Sequence, residues 1–270
     1  MKIILSRKGF DSSCGGMPSP ILPDGTMLSF PIPSSDRISY SDIHWDGRTY
    51  LELIKGLNPR CIINENSHCH LDPDLRKSVF KRMTGWSPAF GQTGSSLTEL
   101  RDNGVGIGDL FLFFGWFRET ELKDGILQFR RNAPDIHAIY GYMQIGQIIT
   151  SSDDIPSWLE YHPHANRENY NSAWQKRQNA LFLPKNKLSF ANQLSGSGTF
   201  AFSSRVTLTK KGYSRSRWQF PEAMRGIEIS HNPRGWKKDY FQSSARGQEF
   251  ILSCNDAVME WILPMFDSLI

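Results

Sequence analysis

Between Leu110 and Phe117 the chain reads Leu-Phe-Leu-Phe-Phe-Gly-Trp-Phe, and this run limits the fold more than any other segment. Its ring side chains favour a pleated surface, and it is too short for most helices. A second apolar run, Ala138 to Ile149, has the same character, and turn formers flank both. The two are expected to pair as central strands, with a polar hairpin-like insert between them. The longest uninterrupted apolar stretch, Leu110 to Phe117, is eight residues, far below the roughly 20 needed to span a bilayer. No transmembrane helix is expected.

The remaining elements follow from local signals. Lys2 to Ser6 reads as a short buried strand that empties into a polar loop carrying Gly9, Asp11, Ser12, Ser13, Gly15 and Gly16. Pro18, Pro20, Pro23, Pro31 and Pro33 keep the next stretch extended, so no helix is expected before about residue 48. Tyr50 to Ile54 suits one short helix. Asp72 to Met83 has an acidic start, a proline at its second position and a basic end, which predicts a helix. Further strands are expected at Ala180 to Leu183, Thr199 to Phe202 and Gly226 to Ser230. A closing helix is expected at Asp256 to Leu269, capped by Asn255 or Asp256 and interrupted at Pro264. No repeat, low-complexity tract or compositional linker appears. The simplest account is one α+β domain over residues 1–270.

With 39% hydrophobic and 21% charged residues in 270, the composition is that of a globular protein with a packed core. The three-residue apolar stretch after Lys2 is too short for a signal peptide's core, and a cytoplasmic location is expected. Cys14, Cys61, Cys69 and Cys254 lack the spacing of a disulfide framework and are read as reduced thiols. The net charge of +4 is too mild to name a partner, but its distribution is uneven. From Arg205 to Arg246 there are ten basic residues against three acids.

Four constellations carry candidate chemistry. In the first loop, Arg7 and Lys8 suit phosphate, Gly15 and Gly16 allow a ligand close to the backbone, and Asp11 suits a sugar hydroxyl, a metal or a proton. The Gly-Lys-Ser/Thr order of a Walker loop is missing, and an internal Arg–Asp pair is the bland alternative. Next, His68, His70 and Asp72 alternate in an extended segment and so share a face on which they could converge on one ion. Neither zinc-finger spacing nor a His-Glu-x-x-His pattern is present, so no metal ligand is assigned; Asp72 is equally well a helix-start residue. His162-Pro163-His164 places two imidazoles on one side of an extended chain, suited to proton transfer or to capping a turn. Finally, Arg205, Arg215, Arg217 and Arg234 are interleaved with aromatics, among them Trp218 and Trp236. They offer phosphate contacts plus rings for base stacking, or else a solvated basic face with its rings turned inward. Gly104 to Asp109 reads as a turn, since its alternate glycines do not make a dinucleotide fingerprint.

Three blocks together resemble the third of the nucleotide modification associated domain families, a group of bacterial and phage proteins. They are Arg7-Lys8-Gly9-Phe10-Asp11 with Gly16-Met17-Pro18-Ser19-Pro20-Ile21, His70-Leu71-Asp72-Pro73-Asp74-Leu75, and Gly108 to Phe117. The resemblance spans nearly the whole chain, including His162-Pro163-His164 and Ser230 to Pro233. It implies a role linked to modified nucleotides or DNA modification and supplies no catalytic residue list. Separately, the Gly108 strand followed by Ile139 to Gly146 looks like the core of small PUA-like barrels, some of which read modified bases. Fold analogy of that kind assigns no function.

The expectation is therefore an α+β protein with a mixed or antiparallel, barrel-like central sheet and peripheral helices. It binds a nucleotide or nucleic acid, not a membrane, and takes part in base modification. Asp11, His70, Asp72, His162 and His164 are its candidate catalytic residues, Arg7 and Lys8 hold phosphate, and no cofactor is specified. Two other readings stay open: a non-catalytic PUA-like reader of modified bases, and a metal-dependent hydrolase or nuclease of phage conflict.

Overall fold

The computed structural model describes residues 1–244 and 248–269. Both apolar runs are strands, and they pair. Leu110–Lys123 lies antiparallel to Ile136–Ile149, with Phe111 opposite Met143 and Phe114 opposite Ile139. Leu110 to Phe114 and Ile136 to Ile145 are buried without alternation, as in a sheet covered on both faces. The insert between them is a hairpin, Ile126–Phe129 folding back on Thr120 to Lys123 through Asp124 and Gly125, both at positive φ.

These strands sit in a nine-stranded mixed sheet. Its order is Glu249–Ser253, Lys2–Arg7, Leu110–Lys123, Ile136–Ile149, Asn179–Pro184, Phe90–Thr93, with Ser19–Ile21, Ile126–Phe129 and Ser197–Thr199 pairing off that path. Lys2–Arg7 and Ser19–Ile21 both run parallel to Leu110–Lys123, the first beside Leu110 to Phe114 and the second beside Phe117 to Glu119. The chain between them, residues 8–18, is thus looped out of the sheet. The sheet curls into a half-barrel until its end strands meet. Gln92 Nε2 donates to Glu249 Oε1 across that seam at 2.5 Å, and helix α1 (Tyr50–Leu57) is followed by α2 (Gly94–Asp102), which packs on both end strands. Inside, Phe90, Phe111, Phe113 and Phe182 meet with ring centroids 4.8–5.7 Å apart.

A second apolar cluster, built on Phe10, Phe30, Tyr40, Tyr50 and Ile54, lies beneath the proline-rich segment. There a ribbon of Ile32–Ser39 with His68–His70 shares the cluster with α1, whose start is closed by a reciprocal Thr49–Glu52 capping box. This ribbon sets His70 beside Asp36.

Several local expectations need correction. Residues Asp72 to Met83 form no α-helix; only Lys77–Val79 makes a 3-10 turn. The features that mimic a helix start are spent otherwise, since Asp72 and Asp74 are buried and the Asp74 backbone exchanges hydrogen bonds with Ala89. Gly226 to Ser230 is not a strand, and the strand expected at Thr199 to Phe202 lies at Ser197–Thr199. Two helices went unread, α2 and α3 (Arg167–Gln175). The closing helix α4 (Asp256–Phe266) starts on Asn255, whose side chain accepts from the Val258 N–H, and runs through Pro264 before a 3-10 turn.

One core group has a direct consequence for stability. His137 is buried on the Ile136–Ile149 strand, and its Nδ1 accepts from Trp218 Nε1–H at 3.1 Å. Burial, reinforced by the charges of Arg7 and Arg215, holds the ring well below the ordinary imidazole range, so it folds neutral. Below about pH 6.5 the unfolded chain takes up a proton that the folded one refuses, so this stability is lost as pH falls. Wild-type stability in urea is expected to fall by about 2 kcal/mol between pH 7.5 and 5 from this residue alone. The gap between wild type and His137→Gln should therefore shrink by that amount. A gap independent of pH would contradict the assignment.

Candidate functional site

A cleft of about 870 Å³ opens at the seam of the half-barrel, and it gathers residues from six separate stretches of the chain, Gln248 of the other seam edge among them. Arg7 comes from the end of the Lys2–Arg7 strand, Lys8, Gly9, Asp11 and Cys14 from the looped-out segment after it, and Asp36, His70 and Asp72 from the ribbon and its exit. Gln92 to Ser96 come from the seam strand and α2, and His164, Asn169 and Tyr170 from the α3 region.

The most ordered part is a knot of imidazoles and carboxylates. His70 Nδ1 lies 2.7 Å from Asp36 Oδ2, so its proton sits on Nδ1 and is donated to the carboxylate. His164 Nδ1 lies 2.7 Å from Asn179 Oδ1 while Asn179 Nδ2 donates to the His164 carbonyl, which fixes the same tautomer on that ring. The two Nε2 atoms therefore face each other 3.2 Å apart, close enough to share one proton, with His164 Nε2 as its acceptor. Asp72 completes the group. Its Oδ1 accepts the Gly91 N–H at 2.7 Å and lies 3.3 Å from His162 Nε2, and its Oδ2 lies 4.0 Å from His70 Nε2. Burial drives the His164 ring neutral, although the Asp72 charge opposes it. Burial would likewise raise the Asp72 carboxyl, but His162, His164 and His70 outweigh it and hold the group ionised. Asp36 is kept low in the same way, burial being overcome chiefly by its bond to His70. One ligand atom from each of His70, Asp72 and His164 lies within 4.8 Å of the others, a spacing that suits an ion as well as a shared proton.

Local structure explains the assembly. His162 caps a 3-10 turn, Pro163–Ala165, that leads into α3, so the pair is not extended as expected; both rings nevertheless reach Asp72. α3 is capped by Asn166, and it directs Asn169 to Asp36 Oδ1 at 3.1 Å and stacks Tyr170 on the His164 ring at 4.8 Å. His68 does not join the group as the alternating spacing suggests, because its Nδ1 is bonded to the Asp36 carbonyl.

A cationic corner adjoins the knot. Lys8 Nζ lies 4.6 Å over the Phe90 ring and 3.4 Å from buried Glu249. Arg7 rests between the Phe114 and Phe250 rings, each 5.8 Å away, and donates to the Ser244 carbonyl. Gly94, Ser95 and Ser96, the first turn of α2, line the same cleft, and no side chain caps that turn. The Gly94 N–H is taken by the Gln178 carbonyl, but the start of a helix beside two cations still favours an anion.

Other expected site residues stand elsewhere. Asp11 borders the cleft, but its Oδ1 is taken by the Ser13 and Cys14 N–H groups, each at 2.7 Å. Gly15 closes that turn over the Phe10 ring, and neither Gly15 nor Gly16 lines the cleft. Cys14 does line it, yet burial and the Asp11 charge raise its thiol. Arg215 bonds to Ser12 and stacks 4.0 Å over Trp116, and Arg217 lies against Tyr213 and Tyr240. Arg205 holds the end of α4 and Arg234 is exposed, both away from the cleft. Trp218 is fully enclosed and presents no face to a base, which corrects its assignment to stacking. Trp236 is half-buried against Phe220 and Phe241 and donates to the Ile227 carbonyl. Arg246 of the basic tract lies outside the described residues.

Asp36, Gly91, Gln92, Asn169, Tyr170, Asn179 and Glu249 were not read from sequence. Only the Asn166 cap before Glu168 gave a usable signal, since it marks a helix start two residues after His164. Among the described residues no helix is long and apolar enough to cross a membrane. A family model described as nucleotide modification associated domain 3 matches residues 2–253. No curated protein and no solved structure matches the chain.

Proposed function

The chain belongs to the nucleotide modification associated domain 3 family, and from that membership and the make-up of the cleft we propose that it binds a nucleotide there and takes part in modifying it. The observation that carries this reading is the union, in one cleft, of an anion-binding corner with a knot of proton-handling groups. The phosphate is placed at Lys8, Arg7 and the first turn of α2. The base or sugar is placed near Asp72, His70 and His164, where a neutral imidazole beside an ionised carboxylate suits proton transfer. The volume of about 870 Å³ falls in the range of small-molecule sites.

Lys8→Met keeps the packing on Phe90 and removes the charge. It is expected to weaken binding of a deoxynucleoside monophosphate about 10- to 100-fold by calorimetry, the range of one charge-assisted hydrogen bond. Binding of the matching nucleoside should change little. Equal affinity of wild type for nucleoside and monophosphate would remove the phosphate corner from the reading. Mass spectrometry of nucleosides from the DNA of cells with and without the chain tests the modification role. If short DNA binds with a steep salt dependence and nothing is turned over, a reader of modified bases is the better account.

A further inference from the structure

The geometry of the knot suits more than a shared proton. Two imidazoles are each tied back at Nδ1, one to Asp36 and one to Asn179, so that their Nε2 atoms face each other 3.2 Å apart. The His164 ring is buried, and with its Nδ1–H given to Asn179 its Nε2 offers a lone pair toward His70. A carboxylate oxygen, Asp72 Oδ2, approaches the same atoms, while its partner oxygen is pinned by the Gly91 N–H.

From this arrangement we infer that His70 Nε2, His164 Nε2 and Asp72 form a binding site for one divalent transition-metal ion. It deepens the nucleotide reading of the same cleft and rests on that reading for its purpose. Ligand atoms about 2.0–2.1 Å from an ion stand roughly 3.0 Å apart at a right angle and roughly 3.4 Å apart in a tetrahedron. The 3.2 Å between the two Nε2 atoms falls in that interval, and ion binding would draw Asp72 Oδ2 inward from its 4.0 Å to His70 Nε2. Two nitrogens with one oxygen suit Fe(II), Co(II) or Zn(II) better than Mg(II) or Ca(II), which ask for oxygen ligands throughout. All three side chains line the cleft, so the remaining coordination positions face the space assigned to the nucleotide. Asp36 and Asn179 hold the rings in the metal-binding tautomer, as outer partners of metal-bound histidines do.

Co(II) titration of the metal-stripped full chain tests the site. Wild type is expected to take up one ion per chain with visible ligand-field bands. His70→Ala should abolish them, and Asp36→Asn should weaken binding roughly 10- to 100-fold, with circular dichroism to confirm folding. Proton NMR of the Co(II) protein gives a readout that needs no variant. Two strongly shifted, slowly exchanging N–H signals should appear, one for each Nδ1–H held by Asp36 and Asn179. Failure of wild type to take up the ion saturably, equal uptake by folded His70→Ala, or the lack of both N–H signals would each overturn the inference. Monophosphate binding is measured in parallel with chelator present. If the nucleotide binds and no ion does, the metal site alone falls; if the ion binds and the nucleotide does not, the nucleotide reading alone falls.

Discussion

Replacing Asp74 by alanine is expected to cost about 3–5 kcal/mol of folding stability, among the largest losses a single side chain can produce here. The Asp74 carboxylate is fully enclosed and accepts from Arg82 Nη2 and from the Tyr161 hydroxyl, each at 2.5 Å. Arg82 is almost as deeply buried, with its guanidinium 5.4 Å from the Phe80 ring, 4.7 Å from Trp86 and 5.1 Å from Tyr161. Trp86 Nε1 in turn donates to the Tyr161 hydroxyl at 2.6 Å. Without Asp74 a buried cation faces rings and carbonyls with no counter-charge, and the rings alone return only a fraction of its lost hydration. A fall in Tm of roughly 10 °C is expected for a chain of this size. The double change Asp74→Ala with Arg82→Met removes the stranded charge and should recover a large part of the loss in urea denaturation. A single-variant loss under about 1 kcal/mol, or no recovery in the double variant, would show that the pair is not the fastening the geometry indicates. The site would suffer too, because Asp72 lies two residues before Asp74 and His162 directly after Tyr161.

That knot also shows where sequence reading works and where it stops. The central strands were legible because burial on both faces leaves an unbroken apolar run, which few other structures produce. Asp72, Pro73 and the later basic residues carry every local mark of a helix start, yet the carboxylates serve buried contacts with residues up to 90 positions away. α2 was illegible for the opposite reason. Gly94-Ser95-Ser96 is a poor helix start, and the Thr93 hydroxyl bonds to the Gln178 carbonyl instead of capping. The basic aromatic tract held a signal that a residue count overlooks: Arg217 and Gln219 are exposed while Trp218 and Phe220 are buried. Period two along a strand turns the rings inward, whatever charges lie between them. The chemistry-bearing doublets, His70 with Asp72 and His162 with His164, stood out as local patterns. Their meeting depends on Gly91, Asp36 and Asn179, each a single residue in an ordinary local context that becomes meaningful only once the sheet has curled.

Gly91 therefore makes the sharpest test of that meeting, and Gly91→Ala is expected to reduce ion binding by more than about 100-fold while costing roughly 1–3 kcal/mol of stability. A methyl built on Gly91 would lie 2.2 Å from both Cγ and Cδ2 of His164, well inside any permissible contact. The ring has no room to yield. Its Nδ1 is bonded to Asn179 Oδ1 at 2.7 Å, Tyr170 stacks on it, and its carbonyl accepts from Trp174 Nε1 at 3.1 Å and Asn179 Nδ2 at 2.9 Å. The strand has little room either, since the Gly91 N–H is the donor that pins Asp72 Oδ1. Whichever side moves, His164 Nε2 and Asp72 Oδ2 part by enough to spoil a site whose ligand distances tolerate only a few tenths of an ångström. Gly56→Ala supplies the control, because that glycine lies in α1 with open space around its missing Cβ. Alanine there should leave ion binding unchanged and raise stability by about 0.5–1 kcal/mol. Folded Gly91→Ala protein that takes up Co(II) like wild type would mean that His164 does not need the seat in which the structure places it, and the three-ligand site would lose its geometric basis.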